Sequence, residues 1–191
     1  MAVARLYCDA PLVAGQEVEL RDETLHYARN VLRLDAGAMV SVFDGLGHEF
    51  SATVAAAGKR SLTLLPGAAL ETPADTGPEI HLGIGLSRGE RMDWVIQKST
   101  ELGVNSITPL LLANNAGSWQ VVGVEEKRAE NRLRHWKQVA ISACEQCGRA
   151  RLPLIEHPAT LGHWLAQRPD IMGLVLHTRD SPVLGSDTIP A

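Results

Sequence analysis

The sequence has few cysteines and no long apolar run. Its 191 residues include three cysteines, an odd number that is too small for the disulfide framework of a secreted domain. No apolar stretch approaches the roughly 20 residues that cross a bilayer, and the N-terminus does not have the charged and apolar regions of a secretory signal. These absences argue against a membrane-spanning or disulfide-stapled protein, and they predict a cytoplasmic one.

Several catalytic and cofactor motifs are also missing. The sequence has no P-loop and no GxSxG nucleophile, and its seven histidines show no HxH or HExxH spacing. "CEQC" at 144–147 closes a predicted helix and has no second ligand pair, so we interpret both cysteines as structural. "GIGLSRG" at 83–89 contains GxG, but Arg88 breaks the dinucleotide fingerprint. We therefore expect neither a metal site nor a dinucleotide site.

The N-terminal part of the sequence is rich in predicted β-strands. Short, partly alternating segments at 39–44, 48–57 and 60–70 predict strands, and apolar spacing at 23–34 predicts one helix. Together they predict a small β-barrel with a single helix. "ETPADTGPE" at 71–79 has the composition of a linker. The predicted organisation is a barrel domain over 1–72, a linker over 73–79 and a second domain over 80–191.

The second domain alternates between strand and helix patterns. Apolar runs at 80–87, 106–112 and 171–178 predict buried strands, and helices are predicted near 91–103, over 125–147 and over 159–167. This alternation implies right-handed crossovers in an open α/β sheet. In the first helix, Gly103 is the predicted C-cap. The predicted buried face of that helix consists of Met92, Val95, Ile96, Ser99 and Leu102.

Polar side chains stand near the ends of two of these helices. Gln97, Lys98 and Glu101 share one face of the first helix. The end of the second, which Gly148 is predicted to cap, carries Glu145, Gln146 and Arg149. Two interpretations stay open: the groups converge on one cleft, or they are ion pairs that set helix packing.

Positive charge is concentrated locally although the net charge is −4. Five basic residues lie between 127 and 137 against a single acid, which predicts either a patch for a polyanion or a solvated helix face. His26, Arg29 and Arg33 recur along one face of the predicted barrel helix, where they can track a phosphate backbone. Arg88 and Arg91 follow a strand end, which is where open α/β sheets bind ligands.

Three stretches carry a family resemblance: "VLRLDAGAMVSVFDGLGHEF", "RMDWVIQKSTELGV" and "VAISACEQCGRARLP". In order and spacing they resemble the bacterial 16S ribosomal RNA uridine-N3 methyltransferases, a family of the SPOUT class of knotted methyltransferases. The resemblance implies an N-terminal PUA-like barrel that binds RNA and a C-terminal SPOUT-type α/β domain that binds S-adenosylmethionine. It also implies a homodimer acting on 16S ribosomal RNA or the assembling small subunit, with no membrane partner.

The polar helix ends and the basic residues described above, taken with the chemistry that the resemblance implies, give the candidate site residues. The catalytic candidates are Lys98, Glu101, Glu145, Gln146 and Arg149. The RNA-binding candidates are Arg5, His26, Arg29, Arg33, Arg88 and Arg91. Leu176 and His177, at the end of the last predicted strand, are the cofactor-binding candidates. No proton acceptor for uridine N3 is singled out.

Two features depart from the family pattern. After Gly173 the only glycine is Gly185, so we expect the glycine-rich cofactor loop and the knot region to be missing from this chain. "PLLLANNAGSWQ" at 109–120 stands where the family shows a Thr-Glu-Arg-Ser-like turn, and Asn114 and Asn115 cannot replace its arginine charge. We expect this chain alone to be inactive, and the alternative function is a non-catalytic RNA-binding module.

Overall fold

The computed structural model describes residues 3–58, 61–72, 77–87, 89–112 and 124–176. The predictions for Arg88, His177, Asn114 and Asn115 lie outside these ranges, as does the tail that contains Gly185. None of the helices in the described part of the chain combines the length and the apolar composition that crossing a membrane requires.

The N-terminal domain is one five-stranded sheet with a short helix. Its strands are β1 (Ala4–Tyr7), β2 (Val18–Leu20), β3 (Met39–Phe43), β4 (Glu49–Ala57) and β5 (Leu62–Leu70). They are hydrogen-bonded in the order β1-β3-β4-β5-β2, with β1 parallel to β3 and the other pairs antiparallel. The three strands predicted in this region are confirmed. Alternating residues from each strand, such as Val40, Val54 and Leu64, fill the core.

The predicted helix over 23–34 is only partly correct. An α-helix, α1 (Asp22–His26), passes at once into a π-helical turn over Tyr27–Val31. The wider turn places Ala28 in the core and leaves Val31 largely exposed. The chain leaves this turn at Arg33 with a left-handed φ of 54°.

The C-terminal domain contains a parallel sheet. β6 (His81–Gly85) pairs with β7 (Ser106–Leu111), and β7 pairs in turn with the short strands β8 (Leu154–Ile155) and β9 (Ala159–Thr160). The connecting helices are α2 (Glu90–Glu101) and α3 (Val124–Cys147), and α4 (Leu161–Ala166) follows β9. The alternation of parallel strands and helices confirms the predicted α/β architecture.

The core of this domain lies between the sheet and the two longer helices. Met92, Ile96 and Thr100 form the buried row of α2 at four-residue spacing, and Trp136 of α3 packs against the same cluster. The prediction that Leu102 belongs to the buried face is wrong, because its side chain is 81% exposed. Thr100 occupies the core instead, and its hydroxyl donates to the carbonyl of Ile96 at 2.7 Å.

The predicted strand over 171–178 is wrong for its described part. Residues 171–176 form no ladder, and their side chains are exposed. One edge of β7 is already taken by β6, and the other is shared by β8 and β9. Residues 171–176 pair with none of the described strands, and apolar composition alone does not create a strand.

Candidate functional site

The surface around α1 and its π-helical turn carries three of the predicted RNA-binding residues. His26 and Arg33 are exposed, whereas Arg29 is half-buried, with Nη1 3.5 Å from the carbonyl oxygen of Leu34. The backbone N–H of Leu34 reaches back to the carbonyl of Ala28 at 3.0 Å, and this closure requires the left-handed turn at Arg33. The predicted α-helical row is therefore replaced by a turn that projects Arg33 beyond the helix end.

Arg91 and Arg5 differ in their surroundings. Arg91 is exposed in the first turn of α2, on the side of the sheet where β6 ends. Arg5 is only 15% exposed, and its Nε and Nη2 donate to the two carboxylate oxygens of Glu49 at 2.9 and 2.7 Å. Its Nη1 donates to the carbonyl of Cys144, and its guanidinium lies 4.8 Å from the ring centroid of Phe43. The donors of Arg5 that were predicted to bind RNA are thus used inside the protein.

Lys98 and Glu101 form an ion pair on the surface of α2, with 2.8 Å between Nζ and the nearer carboxylate oxygen. Both side chains are part-exposed. Leu102 is the C-cap of the helix, and Gly103 follows it with a left-handed φ of 93°, so the predicted glycine lies one position beyond the cap. The ion-pair interpretation of these two residues agrees with this geometry, and their catalytic role stays a prediction.

The three polar residues at the end of α3 have different environments. Arg149 donates to the carbonyls of Val104 at 2.7 Å and Gly103 at 3.0 Å, so it ties the end of α3 to the end of α2. Glu145 turns the other way and accepts a hydrogen bond from the backbone N–H of Tyr7 in β1 at 3.2 Å. Gln146 is exposed. The two helix ends do meet, but through Arg149 and backbone carbonyls.

Burial shifts the ionisation of the groups at this helix end. It raises the pKa of Glu145 to about 7, against the opposing effects of the Tyr7 N–H and the Arg5 charge. It also raises the pKa of the Cys144 thiol to about 12, which leaves the thiol protonated and poorly nucleophilic at neutral pH. Cys144 is fully buried and has the predicted structural role.

The glycines of "GIG" make room for neighbouring side chains. A Cβ on Gly83 would lie 3.0 Å from the ring of Trp164, and one on Gly85 would lie 2.9 Å from Cδ1 of Leu112. At both positions glycine allows close packing on the sheet. The groups that lie close to these two glycines are therefore side chains of the protein itself.

A polar cluster that the sequence analysis missed lies beside Gly83. The carboxylate of Glu156 accepts from the hydroxyl of Thr108 and from Nη2 of Arg168, the latter at 2.7 Å. Arg168 lies 5.1 Å from the ring centroid of Trp164, whose buried indole N–H has no partner among the described residues. Thr108 and Glu156 are 48 positions apart, and no local spacing signals their contact.

Comparison with known families places both domains. Residues 75–187 match the RNA methyltransferase domain, and residues 20–66 match the RNA methyltransferase PUA domain. The sequence is 32% identical over 164 residues to the ribosomal RNA small subunit methyltransferase E of Buchnera aphidicola subsp. Acyrthosiphon pisum, covering 85% of this chain and 62% of the relative. The Synechocystis enzyme of the same name is 30% identical over 175 residues, covering 88% of this chain and 53% of the relative.

Solved structures agree with this match. A Legionella pneumophila structure in complex with bound SAM has a TM-score of 0.85 and 31% identity, covering 95% of this chain and 73% of that chain. A ribosomal RNA small subunit methyltransferase E from Neisseria gonorrhoeae, bound to S-adenosyl methionine, has a TM-score of 0.78 and 31% identity, covering 88% and 67% respectively. The chain spans less than two thirds of the length of the curated relatives named above. With a PUA domain followed by a matched methyltransferase domain, this chain belongs to the RNA methyltransferase family.

Proposed function

We propose that the protein methylates N3 of a uridine in 16S ribosomal RNA, with S-adenosylmethionine as the methyl donor. The main support is the 0.85 TM-score, over 95% of the chain, to a structure that holds SAM. The names of the relatives support ribosomal RNA of the small subunit as the substrate. The choice of uridine N3 and the homodimer rest on the motif resemblance described above, and the cytoplasmic location is kept as an expectation from the sequence.

The carboxyl edge of the parallel sheet is where an open α/β domain would bind a cofactor. Leu112 already occupies the space beside Gly85, and the side chain of Leu176 is 86% exposed. Neither observation reveals a cradle for an adenosyl group among the described residues. We therefore assign no residue of this edge to the cofactor and derive no catalytic step through it. The cofactor-binding roles of Leu176 and His177 stay predictions from the sequence.

The RNA side of the proposal rests on exposed cations. Arg33 and Arg91 are exposed arginines, and no hydrogen bond or ion pair joins their side chains to the other described residues. Free guanidinium groups bind phosphate oxygens strongly, and such contacts position a nucleic acid without reading its sequence. We assign the phosphate contacts to these two arginines, with His26 beside Arg33 on the barrel surface.

The chemistry at uridine N3 requires loss of a proton before or during methylation, so a positioned base or a stabilising cation is expected. Glu145 has a pKa suited to proton transfer near neutrality, but its carboxylate is held against the backbone of β1. We keep Lys98 and Glu101 as the catalytic candidates, because their charges are accessible on α2. Gln146 stays a weaker candidate, and Arg149 serves the packing of the two helix ends.

The second candidate function is a non-catalytic RNA-binding module. The observation that favours it is the segment at 171–176, which is exposed, pairs with no described strand and includes the predicted cofactor residue Leu176. Calorimetric titration with S-adenosylmethionine separates the two functions, followed by nucleoside mass spectrometry of small-subunit RNA incubated with protein and cofactor. Cofactor binding with formation of 3-methyluridine supports the enzyme. RNA binding by a folded chain that neither binds cofactor nor transfers a methyl group supports the module.

A further inference from the structure

The barrel and the methyltransferase domain are joined by a cluster of buried residues drawn from both. Tyr7 and Phe43 come from the barrel, and Ile141, Cys144 and Ala150 come from α3 and the segment after it. This cluster is separate from the cores of the two domains. A junction with its own apolar core resists hinge motion, in contrast to the polar interfaces of domains that move.

Backbone contacts reinforce the junction. The turn between β3 and β4 lies against the segment that follows α3, where Leu152 N–H donates to the carbonyl of Gly45 at 2.9 Å. Gly47 N–H donates to the carbonyl of Ala150 at 3.2 Å. Gly45 has a φ of 77°, and a Cβ there would lie 2.9 Å from Leu152, so the close approach needs glycine.

Arg5 lies where these contacts meet. Its two bonds to Glu49 connect β1 to β4, its bond to the carbonyl of Cys144 reaches α3, and its guanidinium stacks on Phe43. Burial would lower the pKa of Arg5, but the bonds and charge of Glu49 outweigh it and raise the pKa. The same pair keeps the pKa of Glu49 below its usual value. Removing the guanidinium would leave a nearly buried carboxylate without its countercharge.

We infer that Arg5 is a positioning residue, which fixes the barrel to α3 so that RNA held on the barrel reaches the methyltransferase domain in one register. This inference rests on the proposed function. An arginine suits this role because its planar fork makes two bonds to Glu49 and still has a donor for α3, which a lysine cannot reproduce. The side chain of Arg5 is 15% exposed, so little of it is left to contact RNA.

The test compares Arg5→Met, Arg5→Lys and Glu49→Gln with the parent chain. Arg21→Met is the matched control, because Arg21 is an exposed barrel arginine whose 3.6 Å pair with Glu19 is also exposed. For each variant we would measure RNA affinity, cofactor affinity, turnover and KM. A further readout is the distance distribution between spin labels on Ala36→Cys and Gln167→Cys, with Cys147→Ser in the background.

The expected result for Arg5→Met is RNA and cofactor affinity within about twofold of the parent, turnover reduced about tenfold or more, and a broader label distance. Arg5→Lys is expected to recover part of the turnover. Glu49→Gln is expected to give an intermediate loss of turnover, and it takes the place of Arg5→Met if that variant does not fold. Arg21→Met should match the parent. A narrow distance with unchanged turnover would overturn the inference. So would a tenfold loss of RNA affinity at unchanged distance, which would make Arg5 an RNA contact.

If this chain alone transfers no methyl group, as its sequence leads us to expect, turnover does not decide the test and the label distances carry the test of the junction. Broadening in Arg5→Met but not in Arg21→Met would then support the positioning role. Identical distributions in both variants would refute it.

Discussion

Replacing Arg33 with glycine should strengthen the fold and weaken RNA binding. A left-handed conformation costs an ordinary residue about 1–2 kcal/mol, and the φ of Arg33 is 54°. Glycine removes this strain but loses about 0.5–1 kcal/mol of backbone entropy on folding. Arg33→Gly should therefore raise the free energy of unfolding by about 0.5–1 kcal/mol. Arg33→Ala keeps the Cβ, so its stability should stay close to that of the parent.

RNA binding separates the charge of Arg33 from its backbone conformation. Both Arg33→Gly and Arg33→Ala remove one phosphate contact, so each should bind small-subunit RNA about tenfold more weakly. The slope of log affinity against log salt should fall by about 0.7 in each. Arg33→Lys should keep most of the affinity. The assays are urea denaturation followed by circular dichroism, and fluorescence anisotropy at several salt concentrations.

Two results would refute this reasoning. Equal stability of the glycine and alanine variants would show that the left-handed turn is not strained. Unchanged RNA affinity in both variants, with an unchanged salt slope, would show that Arg33 does not contact phosphate. Either result can occur without the other, so the two parts of the argument are tested independently.

The remaining predictions concern the helix ends and the junction. Arg149→Met should lower the free energy of unfolding by about 2–3 kcal/mol, because buried carbonyls at the end of α2 lose a charged donor. Arg91→Met should change the free energy of unfolding by less than about 0.5 kcal/mol, and urea denaturation measures this quantity for both variants. Because the pKa of Glu145 rises from 4.5 to about 7 on folding, its protonated form stabilises the fold at low pH. That contribution is lost as pH rises to about 7, and after allowance for partial exposure it amounts to about 1–2 kcal/mol. The pKa of Glu49 is lowered on folding, so Glu49 stabilises the fold at pH values above its unfolded pKa. This stabilisation is lost as pH falls. In Glu145→Gln, thermal unfolding from pH 4 to 8 should lose the decline in stability that the parent shows between pH 4.5 and about 7, and an unchanged profile would contradict this. Lys98→Ala should cost only about 0.5 kcal/mol of stability, since the pair with Glu101 is part-exposed. If Lys98 is catalytic, the same change should reduce methylation at least tenfold, and a parental rate would remove it from the site.

The sequence predicted those parts of the fold that depend on local pattern. The strands of the barrel, the alternation of parallel strands with helices, and the glycine at the end of α2 all follow from spacing within one element. The π-helical turn was not predictable in this way. It arises because Ala28 packs into the barrel core, and the 3.6-residue pattern does not report that contact.

The contacts that redefine the candidate site join residues far apart in the chain. Arg5 and Glu49 are 44 positions apart, and Tyr7 and Glu145 are 138 apart. Read locally, Arg5 is a basic residue on a strand, and RNA contact is a reasonable expectation. Only the fold shows that β1 runs beside the end of α3 and uses this guanidinium internally. The apolar run at 171–176 is the converse case, because its composition predicts a strand but it pairs with none of the described strands.

The most direct test of the central claim is nucleoside mass spectrometry of 16S ribosomal RNA from the host, with and without the gene for this protein. We expect loss of one 3-methyluridine on deletion, restored by the parent gene and not by the Lys98→Ala variant. If 3-methyluridine persists at the parental level after deletion, the protein does not methylate uridine N3, and the proposed function is wrong.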